Sequence, residues 1–144
     1  MVLQLNSDIE NLIEWAGILI IKNRKVLTLK EFSKDFYQLP GGKVELDETP
    51  SQTVMRELQE ELAVSASKLS PFTEVKEKAK NSDHTMHFML YRGHIGKLPD
   101  RSELPAKTED IAWIDSNYIH QISDIGNFLK HHVIPMLKQK KLIN

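Results

Sequence analysis

Three glutamates near the middle of the chain have a spacing suited to binding a divalent cation. In a helix, Glu57, Glu60 and Glu61 fall at about 300°, 240° and 340° around the axis, with Val54 taken as zero. Like charges three and four residues apart destabilise a helix unless a positive partner lies among them. Hard divalent cations prefer oxygen ligands of this kind. The segment therefore predicts a metal-binding helix.

The same segment carries the signals needed to start and to pack that helix. Thr49 can cap the first turn, Pro50 suits the first helical position, and Gln52 completes a reciprocal capping box. The apolar residues of the segment fall between about 0° and 100°, beside the glutamates, and they are Val54, Met55, Leu58 and Leu62. We expect the apolar side to pack into a core while the neighbouring side presents the carboxylates.

A glycine turn precedes the helix, in the order Leu39-Pro40-Gly41-Gly42-Lys43. Glycine lets a backbone carbonyl or N–H approach a metal or a phosphate with no side chain in the way. The turn and the helix are therefore expected to face the same ligand.

From the second glycine onwards, the spacing resembles the Nudix box, G-x5-E-x7-R-E-U-x-E-E-x-G-U, where U is aliphatic. The matching positions are Gly42, Glu48, Arg56, Glu57, Leu58, Glu60, Glu61 and Val64. The departure is Ala63, where the family pattern has glycine. A left-handed backbone at that position would cost alanine about 1 kcal/mol. The run from Gly41 to Glu61 is similar to the MutT branch in particular.

The resemblance implies a fold, a cofactor and a set of site residues. The fold class is α/β (α+β), a Nudix-type α/β/α sandwich with a mixed β-sheet, in a single domain spanning residues 1–144. The cofactor is Mg²⁺ or Mn²⁺. The implied metal ligands are Glu57, Glu60, Glu61 and the carbonyl of Gly42. Arg56 and Glu48 are expected to pair and to hold the loop against the helix.

Further candidates lie outside the helix. Glu109 is implied as another acidic ligand or base, and Asp110 and Glu103 compete for that role. The general base remains open among Glu57, Glu60 and Glu109. Substrate-binding candidates are Gly41, Lys43 and Asn127, the last of which either reads a base or caps the terminal helix.

The implied activity is a metal-dependent pyrophosphohydrolase acting on a nucleoside diphosphate linked to a further group. By resemblance to MutT the expected substrate is a nucleoside triphosphate, an oxidised one included, cleaved to monophosphate and pyrophosphate. Two alternatives remain. The chain could hydrolyse another diphosphate, such as ADP-ribose or a dinucleoside polyphosphate, or it could be a catalytically silent Nudix-fold binding module.

Composition is compatible with these expectations. A chain of 144 residues with 40% hydrophobic content suits a single core. A net charge of −1 gives no electrostatic case for a nucleic-acid polymer as partner. The absence of cysteine excludes disulfides and fits a reducing compartment. We expect no membrane association, a small-molecule nucleotide as partner, a cytoplasmic location, and a monomer or homodimer.

The rest of the chain predicts strands mixed with helices. Strands are expected over residues 15–21, 25–30, 72–78, 84–94 and 111–114, with a turn at Asn23-Arg24. Residues 31–38, 65–70 and 96–107 are expected as loops or linkers, and residues 81–83 as a turn. Helices are expected over residues 118–122 and 126–140.

Overall fold

The computed structural model describes residues 11–78, 83–118 and 124–144. The strands in these ranges are β1 (Leu12–Leu19), β2 (Ile21–Lys22), β3 (Lys25–Glu31), β4 (Tyr37–Gln38), β5 (Gly41–Lys43), β6 (Ala66–Lys78), β7 (Thr85–Ile95) and β8 (Thr108–Ile114). Helix α1 is Pro50–Leu62, and a 3₁₀ turn is Arg101–Glu103. A π-helical segment, Leu129–Val133, continues directly into helix α2, Ile134–Gln139.

The described strands form two sheets. In the first, the order is β5-β1-β7-β6, with β1 and β7 parallel and the other neighbours antiparallel. In the second, β3 pairs antiparallel with β2 and β4 along one edge and with β8 along the other. The first sheet is therefore mixed, as predicted, and places the glycine strand β5 beside β1.

The core lies on both sides of these strands, because side chains alternate along a strand. From β1, Ala16 and Ile18 belong to the cluster that includes Leu58 of α1. Leu19 belongs to a second cluster, which includes Leu137 of α2. The strands thus lie between two helical layers, and the predicted α/β/α arrangement with a mixed sheet is confirmed.

Several predicted elements differ in extent. Residues 65–70 were expected as a linker, but β6 begins at Ala66 and pairs with β7. The strand starts irregularly: Lys68 has a φ of 53°, and the pairing register with β7 shifts between Ser67 and Ser70. The alternation of side chains is broken there, and the sequence therefore does not indicate a strand. The expected loop over residues 31–38 ends in the short strand β4.

Other expectations are met or cannot be followed. The Asn23-Arg24 turn is present, with φ of 53° and 59°, values typical of a tight hairpin turn. The expected turn at residues 81–83 and the expected helix at residues 118–122 lie partly outside the described residues. None of the helices within the described ranges has the length and apolarity needed to cross a membrane.

Candidate active site

Helix α1 begins and ends as its sequence predicts. Thr49 caps it: the Thr49 hydroxyl accepts from the Gln52 N–H, and the Gln52 side chain accepts from the Thr49 N–H, at 3.2 and 2.9 Å. The helix ends at Ala63, whose φ of 56° and ψ of 38° are left-handed. The exit therefore follows the backbone path that favours glycine, although the residue is alanine.

The three predicted metal ligands on α1 are buried to different depths. Glu61 is fully buried, Glu57 is 9% exposed, and the Glu60 side chain is 48% exposed. This order of burial follows the angular positions around the helix axis, since Glu61 lies next to the apolar face and Glu60 lies farthest from it. The carboxylates form a graded row from the interior to the surface rather than one exposed stripe.

The glycine strand β5 packs directly on this row. The Gly41 N–H donates to Oε1 of Glu61 at 2.9 Å. A Cβ on Gly42 would lie 2.2 Å from Oε1 of Glu57, so only glycine allows that carboxylate to approach. The structure therefore brings Gly41 and Gly42 to the α1 carboxylates, as the sequence predicts.

Arg56 holds the loop before α1 in place. Its Nε and Nη2 donate to the two oxygens of Glu48 at 2.8 and 3.1 Å, and Nη2 also donates to the Lys43 carbonyl at 3.2 Å. Nη1 reaches Glu57 at 3.0 Å. These hydrogen bonds from Arg56, followed by one from Thr53, lower the pKa of Glu48 to about 2. The pairing expected of Arg56 and Glu48 is present.

The surroundings of the buried Glu61 carboxyl group disfavour its charged form. Burial, and then the charge of Glu57, raise the pKa of Glu61 to about 9. Its Oε2 is buried and has no hydrogen-bond partner in the described part of the chain. A buried oxygen without a partner is costly unless a ligand satisfies it.

Two residues that the sequence did not single out complete the site. The Lys107 ammonium lies 3.5 Å from Glu60, 3.6 Å from Glu57 and 3.8 Å from Glu31. Burial lowers the pKa of Lys107, but nearby carboxylates, Glu57 foremost, raise it by more, and the net shift is upward. We call Glu31, Glu57, Glu60 and Glu61 the carboxylate cluster. No local pattern links Glu31 or Lys107 to α1; the pairing of β3 with β8 places them there.

The acidic residues predicted as ligands in and before β8 make their described contacts outside the carboxylate cluster. Glu109 forms an ion pair with Lys30. Asp110 accepts a 2.6 Å hydrogen bond from the Tyr37 hydroxyl and pairs with Arg101 at 2.7 Å. Burial and the bond to Asp110 raise the pKa of Tyr37 to about 12. Glu103 is exposed on the 3₁₀ turn. These described contacts do not join Glu109, Asp110 or Glu103 to the carboxylate cluster, and the roles suggested for them stay predictions.

An aromatic cavity of about 550 Å³ lies between the first sheet and the start of the terminal helix. The Phe88 and Phe128 rings stack with centroids 3.7 Å apart, and Trp15 meets Phe88 edge to face at 5.8 Å. Asn127, a predicted substrate-binding residue, lines this cavity together with Leu39. Stacked rings with a few polar neighbours suit a flat ligand that has polar edges. Lys43, a further predicted substrate-binding residue, is exposed at the end of β5 and does not line this cavity.

The carboxylate cluster fits a hard divalent cation in its chemistry. It supplies oxygen donors only, Oε2 of Glu61 lacks a partner, and Gly42 leaves room for Glu57. Within the described ranges, no three acidic or histidine side chains are already spaced to hold an ion. Arg56 and Lys107 lie among these carboxylates instead. The described carboxylates are therefore paired with cations of the chain itself rather than spaced around an ion position.

The side chains of the site are suited to chemistry in which carboxylate oxygens hold a cation. Carboxylates beside a glycine backbone are oxygen donors of the kind that metal-assisted hydrolysis uses, and residues 38–43 link them to the aromatic cavity. The NUDIX domain model matches residues 14–132. The chain belongs to the Nudix family and is a pyrophosphohydrolase of that family.

Individual relatives agree with this assignment. The chain is 33% identical over 90 residues to an 8-oxo-dGTP diphosphatase of Proteus vulgaris, covering 60% of this chain and 80% of the relative. It is 29% identical over 93 residues to an ADP-ribose pyrophosphatase of Bacillus subtilis, covering 62% and 50%. Its fold matches a MutT NUDIX hydrolase structure from Burkholderia pseudomallei with a TM-score of 0.64, at 20% identity, covering 89% and 96%. Nudix hydrolases generally use divalent metal ions and act on small nucleotides.

Proposed function

We propose that this protein is a Mg²⁺- or Mn²⁺-dependent hydrolase that cleaves a nucleoside triphosphate to monophosphate and pyrophosphate. Oxidised deoxynucleotides are among the candidate substrates. One observation carries the proposal: a short segment, residues 38–43, connects the aromatic cavity to the carboxylate cluster. Gln38 and Leu39 line the cavity, and Gly41 and Gly42 contact the glutamates of α1. A base in the cavity would direct its phosphates along this segment.

The residues of α1 have proposed roles that follow from their burial. Glu57, Glu60, Glu61 and the carbonyl of Gly42 would hold the metal. The bound metal would neutralise phosphate charge and lower the pKa of a water. Glu57 or Glu60 would accept the proton of that water, because both lie at the cluster whereas Glu109 is paired with Lys30. The Arg56–Glu48 pair would hold the loop before α1 against the helix.

Base recognition is proposed for the cavity. Phe88 and Phe128 offer apolar surface, and Asn127 offers an amide that can both donate to and accept from a base edge. In the described part of the chain, no side-chain hydrogen bond of Asn127 caps the terminal helix. Asn127 is therefore proposed as a base-reading residue.

Two other functions stay open for the same site. The Bacillus subtilis relative is called an ADP-ribose pyrophosphatase, and its name favours a diphosphate with a second sugar as the alternative substrate. Dinucleoside polyphosphates belong to the same alternative. A catalytically silent module is the third function, although each acidic box position is retained.

Product analysis by chromatography separates these possibilities. The purified protein is incubated with Mg²⁺ and each of several substrates: the common nucleoside triphosphates, an oxidised deoxyguanosine triphosphate, ADP-ribose and a dinucleoside tetraphosphate. We expect monophosphate and pyrophosphate from a triphosphate, and loss of both products with Glu57→Gln. Asn127→Ala should change the order of preference among substrates with different bases, and it should leave the products of cleavage the same. Preferential cleavage of ADP-ribose, or no cleavage of any substrate, would contradict the proposal.

A further inference from the structure

Lys107 occupies a central position among the carboxylates of the site. Its Nζ lies at 3.5, 3.6 and 3.8 Å from oxygens of Glu60, Glu57 and Glu31. The three distances are nearly equal and longer than a direct 2.8–3.0 Å charged hydrogen bond such as those of Arg56. The ammonium is thus shared among three carboxylates rather than bound to one.

The backbone around Lys107 is anchored by hydrogen bonds, whereas its side chain is partly exposed. The Lys107 carbonyl accepts a 3.0 Å hydrogen bond from Phe32 N–H, and the Thr108 hydroxyl donates to the Glu61 carbonyl at 2.7 Å. Thr108 is buried, whereas 41% of the Lys107 side chain is exposed. A flexible four-carbon chain can therefore move the ammonium without moving β8.

The other cation of the site, Arg56, also contacts the cluster, at 3.0 Å from Glu57 and 3.3 Å from Glu60, but it is anchored outside the cluster as well. Arg56 makes two hydrogen bonds to Glu48 and one to the Lys43 carbonyl, which together fix its planar guanidinium. The described ion pairs of Lys107, by contrast, all go to the carboxylate cluster. Of the two cations, Lys107 is the one that can leave.

We propose that Lys107 is a tethered counter-cation that neutralises Glu31, Glu57 and Glu60 without metal and leaves Glu57 and Glu60 when a divalent cation binds. The inference rests on the proposed function, because it takes these glutamates as metal ligands. An ammonium and a divalent cation repel each other at such distances. Lys107 therefore competes with the metal and sets the affinity of the site.

Lys34 provides a matched control. Its Nζ lies 4.0 Å from the other oxygen of Glu31, and its described ion pair involves neither Glu57 nor Glu60. Removing Lys34 changes the net charge near the site by the same amount as removing Lys107. An effect that depends on contact with Glu57 and Glu60 should therefore appear in the Lys107 variant and be absent from the Lys34 variant.

Manganese binding measured by titration calorimetry tests the proposal without using turnover. Lys107→Met should tighten Mn²⁺ binding by about 3- to 10-fold, as expected for loss of one nearby positive charge. Lys34→Met should change the dissociation constant by less than about 2-fold, and Lys107→Arg should stay close to the parent protein. The melting temperature of metal-free Lys107→Met should fall, because its carboxylates lose their counter-charge.

A second measurement follows the ammonium itself. Amine-reactive labelling, quantified residue by residue by mass spectrometry, should label Lys107 faster when Mg²⁺ is present, whereas Lys76, an exposed lysine on β6, keeps its rate. Unchanged or weaker Mn²⁺ binding in Lys107→Met, or unchanged labelling of Lys107, would overturn the inference. In those cases the parent protein still binds metal, and the proposed function survives. Absence of Mn²⁺ binding by the parent and by every variant would overturn both.

Discussion

The backbone N–H of Gly41 donates a 2.9 Å hydrogen bond to Oε1 of Glu61, and this bond joins the glycine strand to a fully buried carboxyl group. Glu61 is satisfied on one oxygen and left without a partner on the other, within the described residues. An oxygen in that state is suited to an incoming ligand. The relationship explains why the glycine turn and the helix belong to one site.

We expect Glu61→Gln to lower turnover by at least about 100-fold while leaving the metal-free protein at least as stable. Burial and Glu57 raise the pKa of Glu61 to about 9, so the metal-free carboxyl is protonated near neutral pH and resembles the amide. Steady-state kinetics and thermal melting check the two parts. Near-normal turnover would remove Glu61 from the proposed ligand set.

Glu60→Gln should lower turnover by a similar factor of at least about 100. Glu60 is half exposed, so the melting temperature should hardly change. Glu45→Gln is the matched control, because Glu45 is also exposed and also contacts Arg56, at 3.6 Å. Equal activity losses in the two variants would mean that Glu60 acts only through Arg56.

Divalent cations should raise the melting temperature of the parent protein, because a ligand that binds only the folded state stabilises it by mass action. The double variant Glu57→Gln with Glu61→Gln should abolish the increase. Differential scanning calorimetry with Mg²⁺, Mn²⁺ and Ca²⁺ provides the measurement. No shift with any of the three ions would favour the silent module.

Ala63→Gly should stabilise the protein, because φ at Ala63 is 56° and glycine relieves about 1 kcal/mol of left-handed strain, of which unfolded-state entropy offsets a part. Chemical denaturation measures the effect as a higher midpoint at unchanged slope. Ala106→Gly is the control, since Ala106 is not among the residues with positive φ. That variant should lose about 0.4–1 kcal/mol through unfolded-state entropy. A lower midpoint for Ala63→Gly would contradict the strain assigned to the helix exit.

Glu48→Gln should remove a pH-dependent part of the stability. Hydrogen bonds from Arg56, and then from Thr53, hold the folded-state pKa of Glu48 at about 2, below its usual 4.5. A lowered folded pKa stabilises the protein above the unfolded pKa, and this contribution is lost as pH falls from about 4.5 to about 2. Denaturation midpoints of parent and variant should differ most above pH 5 and converge near pH 2. A constant difference at all pH values would contradict this role.

The local features of the site could be predicted from the sequence. The capping box at Thr49, the order of glutamates around α1 and the exit at Ala63 depend on residues within a few positions of one another. Helix periodicity and capping are local properties, and they act in the same way wherever the helix is placed. The Nudix spacing then supplied the fold class and the family.

Only the tertiary structure decided which distant residues join this helix. The pairing of β3 with β8 brings Glu31 and Lys107 to the cluster and directs Glu109 to Lys30. The pairing of β6 with β7 turns a polar segment after Ser65 into a strand. These placements depend on strand register, and a shift of one residue would exchange the two faces of a strand. Register is set by contacts distant in sequence, and local patterns therefore could not place Lys107 among the glutamates.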